Sequence, residues 1–478
     1  MKRLLIDGRL VETPASFDSL NPATGDVVGQ SADATIADAE TAVAAARRAF
    51  DTTTWSTDRD LRVRCLDQLH RALTEHKEEL RELTIAEVGA PRMLTHGPQL
   101  DQPIEIARYY ADLLQDYPLT ADLADIEFRG QTHRRWVEKE AAGVVAAITA
   151  YNFPNQLALA KLVPALAAGC TVVLKGAPDT PLTTLALGEL IAEHTDIPAG
   201  VVNVLSSTDV QVGEVLTTHP DVDMVTFTGS TAVGRRIMAA AAPTVKKVFL
   251  ELGGKSAMVV LDDADFDTAA MFAAFTICSH SGQGCALTSR LLVPREHHDA
   301  IVAKVAAALE RIPYGDPSAP TTYMGPLISE RQREKVDGMV RRAVASGATL
   351  VTGGKKVDPG FFYTPTLLTG VDSADEIAQE EVFGPVLVVI PFDGDDDAVR
   401  IANDSIFGLS GGVYSADEDR AVAVARRIRS GTFGINGGNY FGPDAPFGGF
   451  KQSGIGREMG VAGLEEFLEG KTFAAVKA

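Results

Sequence analysis

Two glycine-bordered segments carry the side chains best suited to chemistry, Glu251-Leu252-Gly253-Gly254-Lys255 and Gly282-Gln283-Gly284-Cys285. A thiolate is a strong nucleophile toward carbonyl carbon, and a carboxylate can serve as its base directly or through one water. Glycine beside such groups lets another backbone, a cofactor or a substrate approach closely. The cysteine and the glutamate stand 34 residues apart, so only the tertiary fold can join them. Read alone, each has a plainer meaning: Cys285 as a small buried hydrophobe, Glu251 as a turn or cap residue.

Further candidates lie at the ends of strand-like runs. Asn152 follows the continuous apolar run Gly143 to Ala150, which suits a fully buried parallel strand. Open parallel sheets place ligands at such strand ends, where an amide could donate to a developing oxyanion; Asn152-Phe153-Pro154 also reads simply as a loop. Phe227-Thr228-Gly229-Ser230-Thr231-Ala232-Val233-Gly234 reads as strand, turn and helix start, and a helix N-terminus suits a pyrophosphate. Its spacing is not G-x-G-x-x-G. Lys175 follows a second buried-strand pattern, Cys170 to Lys175, and could equally be a solvated strand end.

The elements that must position these groups alternate between strand and helix. A helix follows Asn152 to about Ala168, and strands recur at Val201 to Leu205 and Asp223 to Phe227, which indicates an α/β domain with a parallel sheet. Strands are expected at Ser256 to Leu261, Arg290 to Pro294, Val386 to Pro391, Gly411 to Tyr414 and Thr432 to Asn436. Helices are expected at Thr35 to Phe50, Arg59 to Leu73, Glu75 to Val88, Asp265 to Ser279, His297 to Arg311 and Glu330 to Ser346. Residues between Val88 and Gly130 read as a polar, aspartate-rich region. The ending, Lys471 to Val476, reads as a strand in need of a partner, or as a frayed tail.

Bulk properties narrow the class. A chain of 478 residues has room for about three domains of ~150 residues. Lys plus Arg number 44 against 64 Asp plus Glu, a net charge of −20 that repels nucleic acid and anionic lipid. Cys65, Cys170, Cys278 and Cys285 show no paired spacing for zinc or redox chemistry, so no metal is expected. The start lacks a signal-peptide apolar run and the longest apolar stretch is too short to span a bilayer, so a cytoplasmic protein is expected.

Taken together, Glu251 to Lys255 and Gly282 to Cys285 resemble, in order and separation, the general-base and nucleophile signatures of the aldehyde dehydrogenase superfamily. Further family motifs run from Asn21-Pro22 to Phe450-Lys451, nearly the whole chain. The resemblance implies an α/β fold with a Rossmann-like parallel-sheet cofactor domain (1–118 and 138–250), an α/β catalytic domain (251–450), and a small β oligomerisation arm and tail (119–137 and 451–478). It also implies a homo-oligomer, dimer or tetramer.

By the same resemblance Cys285 is the nucleophile, Glu251 activates the hydrolytic water, and Asn152 shares the oxyanion hole with the Cys285 amide. Lys175, Gly229, Ser230, Gly234, Tyr151, Glu381 and Phe383 bind the cofactor, NAD with NADP as the alternative. Phe153, Leu157, Phe441 and Phe447 line the substrate tunnel, an uncharged set that points to a neutral, largely apolar aldehyde. Two departures bear on the cofactor. Pro178 stands where the family commonly has a ribose-binding glutamate, which favours tolerance of a 2′-phosphate; Asp209, in an altered segment after Val204, disfavours it. The rival readings are a CoA-acylating enzyme, against which Glu251 argues, and a cofactor-independent thiol esterase.

Overall fold

A computed structural model describes residues 1–477. Five parallel strands form the heart of an eight-stranded sheet in the spatial order Val202–Ser206, Thr171–Gly176, Val144–Ile148, Met224–Thr228 and Lys247–Glu251. The apolar runs predict these strands because a parallel strand is covered on both faces, and here helices cover both. Each buried Val, Leu or Ile side chain in such a layer stabilises by about 1.5–3 kcal/mol. The order reverses between Val144–Ile148 and Met224–Thr228, so the crevice at their carboxyl ends is a topological switch point. Asn152 and Gly229 follow those two strand ends.

A second sheet of seven strands runs Thr349–Thr352, Thr366–Thr369, Val386–Phe392, Thr288–Pro294, Ser256–Val260, Ser410–Tyr414 and Thr432–Ile435; all neighbours are parallel except the first pair. The chain crosses from the first sheet to the second through only Leu252 to Lys255. Glu251 therefore ends a strand of one sheet just before the next sheet begins, and Cys285 lies shortly before Thr288–Pro294. The cleft between the carboxyl edge of the first sheet and the amino edge of the second holds both.

A third, antiparallel sheet pairs Leu468–Val476 with Gln131–Ala141, and that strand with Thr120–Phe128. The terminal strand thus has the partner its composition requires. Two expected boundaries shift. The hairpin continues to Ala141, four residues past the expected end, because the register with Leu468–Val476 holds to Leu468↔Ala141. Residues 451–467 belong with the first sheet: Gly454–Ile455 pairs with Leu250 and Glu251, and Leu464 and Phe467 enter its core.

The aspartate-rich region contains a sixteen-residue helix, Asp101–Asp116, that the polar reading overlooked. It buries Ile104, Ala107, Tyr110, Ala111 and Leu114 on one face and leaves its acids outside. No helix among the described residues is long and apolar enough to cross a membrane.

Candidate active site

Glycine brings the two signature segments into contact. A Cβ on Gly254 would lie 2.3 Å from the Cys285 carbonyl oxygen, and one on Gly253 would lie 2.6 Å from Glu381 Oε2. A side chain at Gly254 would push the glutamate loop off the cysteine loop, and one at Gly253 would displace the Glu381 carboxylate. Ser453 pins the crossing from below, donating to the Gly253 carbonyl at 2.7 Å and accepting Leu252 N–H on its own carbonyl at 2.9 Å.

Cys285 is half-buried and faces Glu251. Each group feels the other's hydrogen-bonding pull, although neither Glu251 oxygen has a well-aligned partner. Burial pushes the Glu251 carboxyl up to about 8; the charge of Glu458 adds to this, and Lys161 opposes it. Burial and the neighbouring acid push the Cys285 thiol well above its usual value. At neutral pH the pair is therefore a thiol beside a carboxylic acid, poised to exchange a proton once the carboxyl ionises. Lys161 and Glu458, both fully buried, form a 2.6 Å ion pair. Lys255, of the same signature, is buried with no partner for Nζ, and burial pushes it down to about 7.

Asn152 lies across from the cysteine loop. One hydrogen of its amide goes to the Gln283 carbonyl at 2.9 Å, two residues before Cys285, and the other is free to meet a substrate oxygen. Its backbone carbonyl accepts from Gln99 Nε2 at 2.9 Å. The structure thus joins all three expected catalytic residues, Cys285, Glu251 and Asn152, through contacts of their loops or side chains.

The expected cofactor residues divide into two groups. At the switch point, a cavity of about 620 Å³ is lined by Ile148, Lys175, Gly213, Phe227, Val233 and Ile237 among others, a largely apolar slot with ample room for an adenosine. Ser230 caps the helix Thr231–Ala241, its Oγ accepting from Val233 N–H at 3.4 Å, and Gly229 N–H donates to the Glu251 carbonyl at 3.1 Å. A Cβ on Gly234 would meet Leu252 at 2.7 Å, so glycine seats this helix against the catalytic loop. Burial pushes Lys175 down to about 8, against the pull of Asp33 and Asp209.

Nearer the cysteine, Gly254, Gly282, Glu381, Phe383 and Gly384 surround a narrow cleft. Glu381 is held there by Gly254 N–H at 3.0 Å, and Tyr151 meets Phe383 edge-on at 5.9 Å. The donor set therefore fits a dinucleotide: an apolar slot, a buried lysine at its rim, a capped helix N-terminus and a carboxylate beside the cysteine loop.

Of the four expected tunnel residues, Phe441 packs on Phe447 at 5.3 Å, and Phe153 packs against His280 at 5.2 Å. Leu157 is buried on the helix Pro154–Ala168. Sequence reasoning missed Tyr440, which packs against the same core as Cys285 and stacks on Phe441 at 5.2 Å. It also missed Gln99, Lys161, His280 and Glu458. A lysine within the apolar run of Pro154–Ala168 was the one visible signal. Among the described residues no cluster of His, Cys, Asp or Glu could hold a metal ion.

Comparison with known proteins agrees over the full length. The sequence matches the aldehyde dehydrogenase family across residues 11–473. It is 42% identical to the 3-succinoylsemialdehyde-pyridine dehydrogenase of a Pseudomonas species, over 98% of this chain and 97% of that protein. The betaine aldehyde dehydrogenase of Staphylococcus aureus, solved with NAD+, superposes with a TM-score of 0.95 at 37% identity, covering 99% of this chain and 94% of the other. Aldehyde dehydrogenase C of Pseudomonas syringae, solved with NAD+ and octanal, gives 0.93 at 39% identity, covering 99% and 96%. With a sheet crossing that sets a glutamate against a cysteine, and with this similarity along nearly every residue, the chain belongs to the aldehyde dehydrogenase family.

Proposed function

We propose that the protein oxidises an aldehyde to a carboxylic acid with NAD+. The observation that supports it is the close approach of Gly254 to the Cys285 carbonyl, beside the buried Glu251 carboxyl, with the Asn152 amide bonded to the same cysteine loop.

Glu251, once ionised, takes the proton from Cys285, whose sulfur then forms a bond to the aldehyde carbon. The former carbonyl oxygen becomes negative and is held by the free Asn152 amide hydrogen and the Cys285 backbone N–H. A nicotinamide dinucleotide bound here would supply the hydride acceptor, and loss of hydride from this carbon would leave a thioester on Cys285. Glu251 gives the cysteine's proton up to solvent and, ionised again, takes a proton from water; the water oxygen bonds to the thioester carbon, the carbon–sulfur bond breaks, and the leaving thiolate takes that proton back from Glu251 as the acid departs. Lys175 and the capped turn at Gly229 and Ser230 bind the adenosine and pyrophosphate; Glu381, Phe383 and Tyr151 hold the nicotinamide half.

NAD is the proposed cofactor and NADP the alternative. The uncharged Phe153, Leu157, Phe441 and Phe447 support a neutral, largely apolar aldehyde, and the octanal complex of the Pseudomonas syringae enzyme supports the same reading. The exposed strand Thr120–Phe128 supports assembly into a dimer or tetramer through the third sheet. Four free cysteines support a reducing compartment such as the cytoplasm.

The test is Cys285→Ala with an aldehyde panel and both nicotinamide cofactors. Oxidation should vanish while fluorescence titration still reports dinucleotide binding. Persistent turnover refutes the nucleophile. A rate that requires added CoA would instead identify the acylating reaction.

A further inference from the structure

Around Asn152 lies a set of buried polar groups that the reaction above does not use. Gln283 donates twice to the His280 carbonyl, from its backbone N–H at 3.0 Å and from Nε2 at 3.2 Å. Since Asn152 donates to the Gln283 carbonyl, the path leads from the oxyanion amide to His280 in two steps. The His280 ring returns to the start: it is 1% exposed, lies edge-on to Phe153, and feels the backbone carbonyl of Asn152. Gln99 Oε1, Asn152 Oδ1 and both His280 ring nitrogens are buried without a well-aligned partner.

Such an arrangement is costly. A buried polar group without a partner has given up its hydrogen bonds to water with no return. The backbone adds strain, because His280 and Ser281 are both left-handed, with φ of 46° and 56°. In each such non-glycine residue the Cβ crowds the following carbonyl oxygen. Strain of this kind persists where the surroundings enforce it. Here Ser281 Oγ donates to the Gly325 carbonyl at 2.5 Å, Ile328 N–H donates to Gln283 Oε1 at 2.9 Å, and a Cβ on Gly282 would strike the Gly384 carbonyl at 2.0 Å. Packing alone does not call for an imidazole in this place, since an apolar side chain would fill it with no orphaned nitrogen.

We propose that His280 is a positioning residue for the oxyanion hole: its neutral ring and Gln99 together fix the Asn152 peptide, so that the amide hydrogen left over from Gln283 points at the oxygen of the cysteine adduct. The inference rests on the reading of Asn152 given under the proposed function. Burial pushes the imidazole down to about 4, so it stays neutral wherever the enzyme is assayed near neutral pH.

A double-mutant cycle on the full-length protein tests it. His280→Ala should lower kcat by about tenfold to a hundredfold, a fraction of the loss expected for an oxyanion donor itself. The aldehyde KM and dinucleotide affinity should stay near their wild-type values. His280→Asn, which tolerates the left-handed backbone and keeps a donor, should restore most of kcat. In an Asn152→Ala background, His280→Ala should cost nothing further, because residues that act through one another are not additive.

Equal losses in both backgrounds, or no loss in either, overturn the inference while leaving the oxyanion role of Asn152 intact. Normal turnover by Asn152→Ala alone would remove that role and this inference together. Should His280→Ala fail to fold, Gln99→Met reads the same coupling with the same two outcomes.

Discussion

Lys161 and Glu458 form an ion pair of 2.6 Å whose charges both reach Glu251, 0% and 3% of their side chains being exposed. One helix and a loop 297 residues away supply them, and the lysine also lies 5.2 Å from the Phe249 ring. Glu458 holds the Glu251 proton on and Lys161 draws it off, so the pair tunes the base without touching substrate. Lys161→Met should move the ionisation of Glu251 upward and Glu458→Gln should move it downward, seen as opposite displacements of the pH–kcat curve. Leaving Glu458 alone in the interior should also destabilise the Lys161→Met protein by about 3–5 kcal/mol, read by chemical denaturation. Displacements of the same sign in both variants would contradict this account.

Glu251 itself sets a second expectation. With its carboxyl pushed up to about 8, the fraction able to remove a proton from water rises with pH until that value and then levels. The hydrolytic step should follow the same rise. Glu251→Gln should release at most one NADH per site and then stall as the acyl-enzyme, detected as a burst with no steady state. The linkage to folding has the opposite slope. Between the unfolded value of about 4.3 and the folded one, the native chain holds a proton that the unfolded chain has lost. The stability this group contributes is therefore present at low pH, declines across that window and is gone above about 8; in Glu251→Gln that part of the decline should be missing.

Much of this arrangement was legible in the chain because it depends on local pattern. The run Gly143 to Ala150 suits a strand covered on both faces, and Val144–Ile148 is the central one of the five parallel strands. The glycines beside Glu251 and Cys285 signalled close approach, and Gly254 does touch the Cys285 carbonyl. What escaped notice depends on distance or on competing signals. The helix Asp101–Asp116 hid because its acids sit on the outer face and dilute an apolar spacing of Ile104, Ala107, Ala111 and Leu114. Lys161 and Glu458 carry no mark of each other in sequence. His280 looks like any polar turn residue until the fold lays its ring beside the Asn152 carbonyl.

Cofactor choice turns on Asp209. It caps the helix Val210–Thr218, accepting from Gln211 N–H at 2.9 Å, and its charge reaches Lys175, as does that of Asp33. A 2′-phosphate bound by Lys175 would meet both carboxylates. Asparagine caps a helix as well as aspartate does, so Asp209→Asn removes the charge and keeps the helix start. Relief of one exposed like-charge contact is worth about 1 kcal/mol, or roughly fivefold. The ratio of kcat/KM for NADP to that for NAD should rise by about that factor, with Tm unchanged. An unaltered ratio would place the discriminating group elsewhere.

Among the described residues, Thr120–Phe128 has no strand on its outer side. All nine residues of Thr120–Phe128 are exposed, and Leu123, Ile126 and Phe128 present apolar side chains to the outside. An unpaired edge of this length invites another chain; Asp122, Asp125 and Glu127 set charge among its apolar side chains, so a partner would meet both. The middle strand Gln131–Ala141 is paired on both sides, and Trp136 stacks on Phe473 at 5.0 Å and nearly parallel, which ties the chain's end to the hairpin as the sheet's opposite edge. Replacing Leu123 and Ile126 together by aspartate should leave each subunit folded, because neither side chain enters a core. The change should still lower the assembly's mass in light scattering as the protein is diluted. An unchanged mass at every concentration would show that subunits meet through a different face.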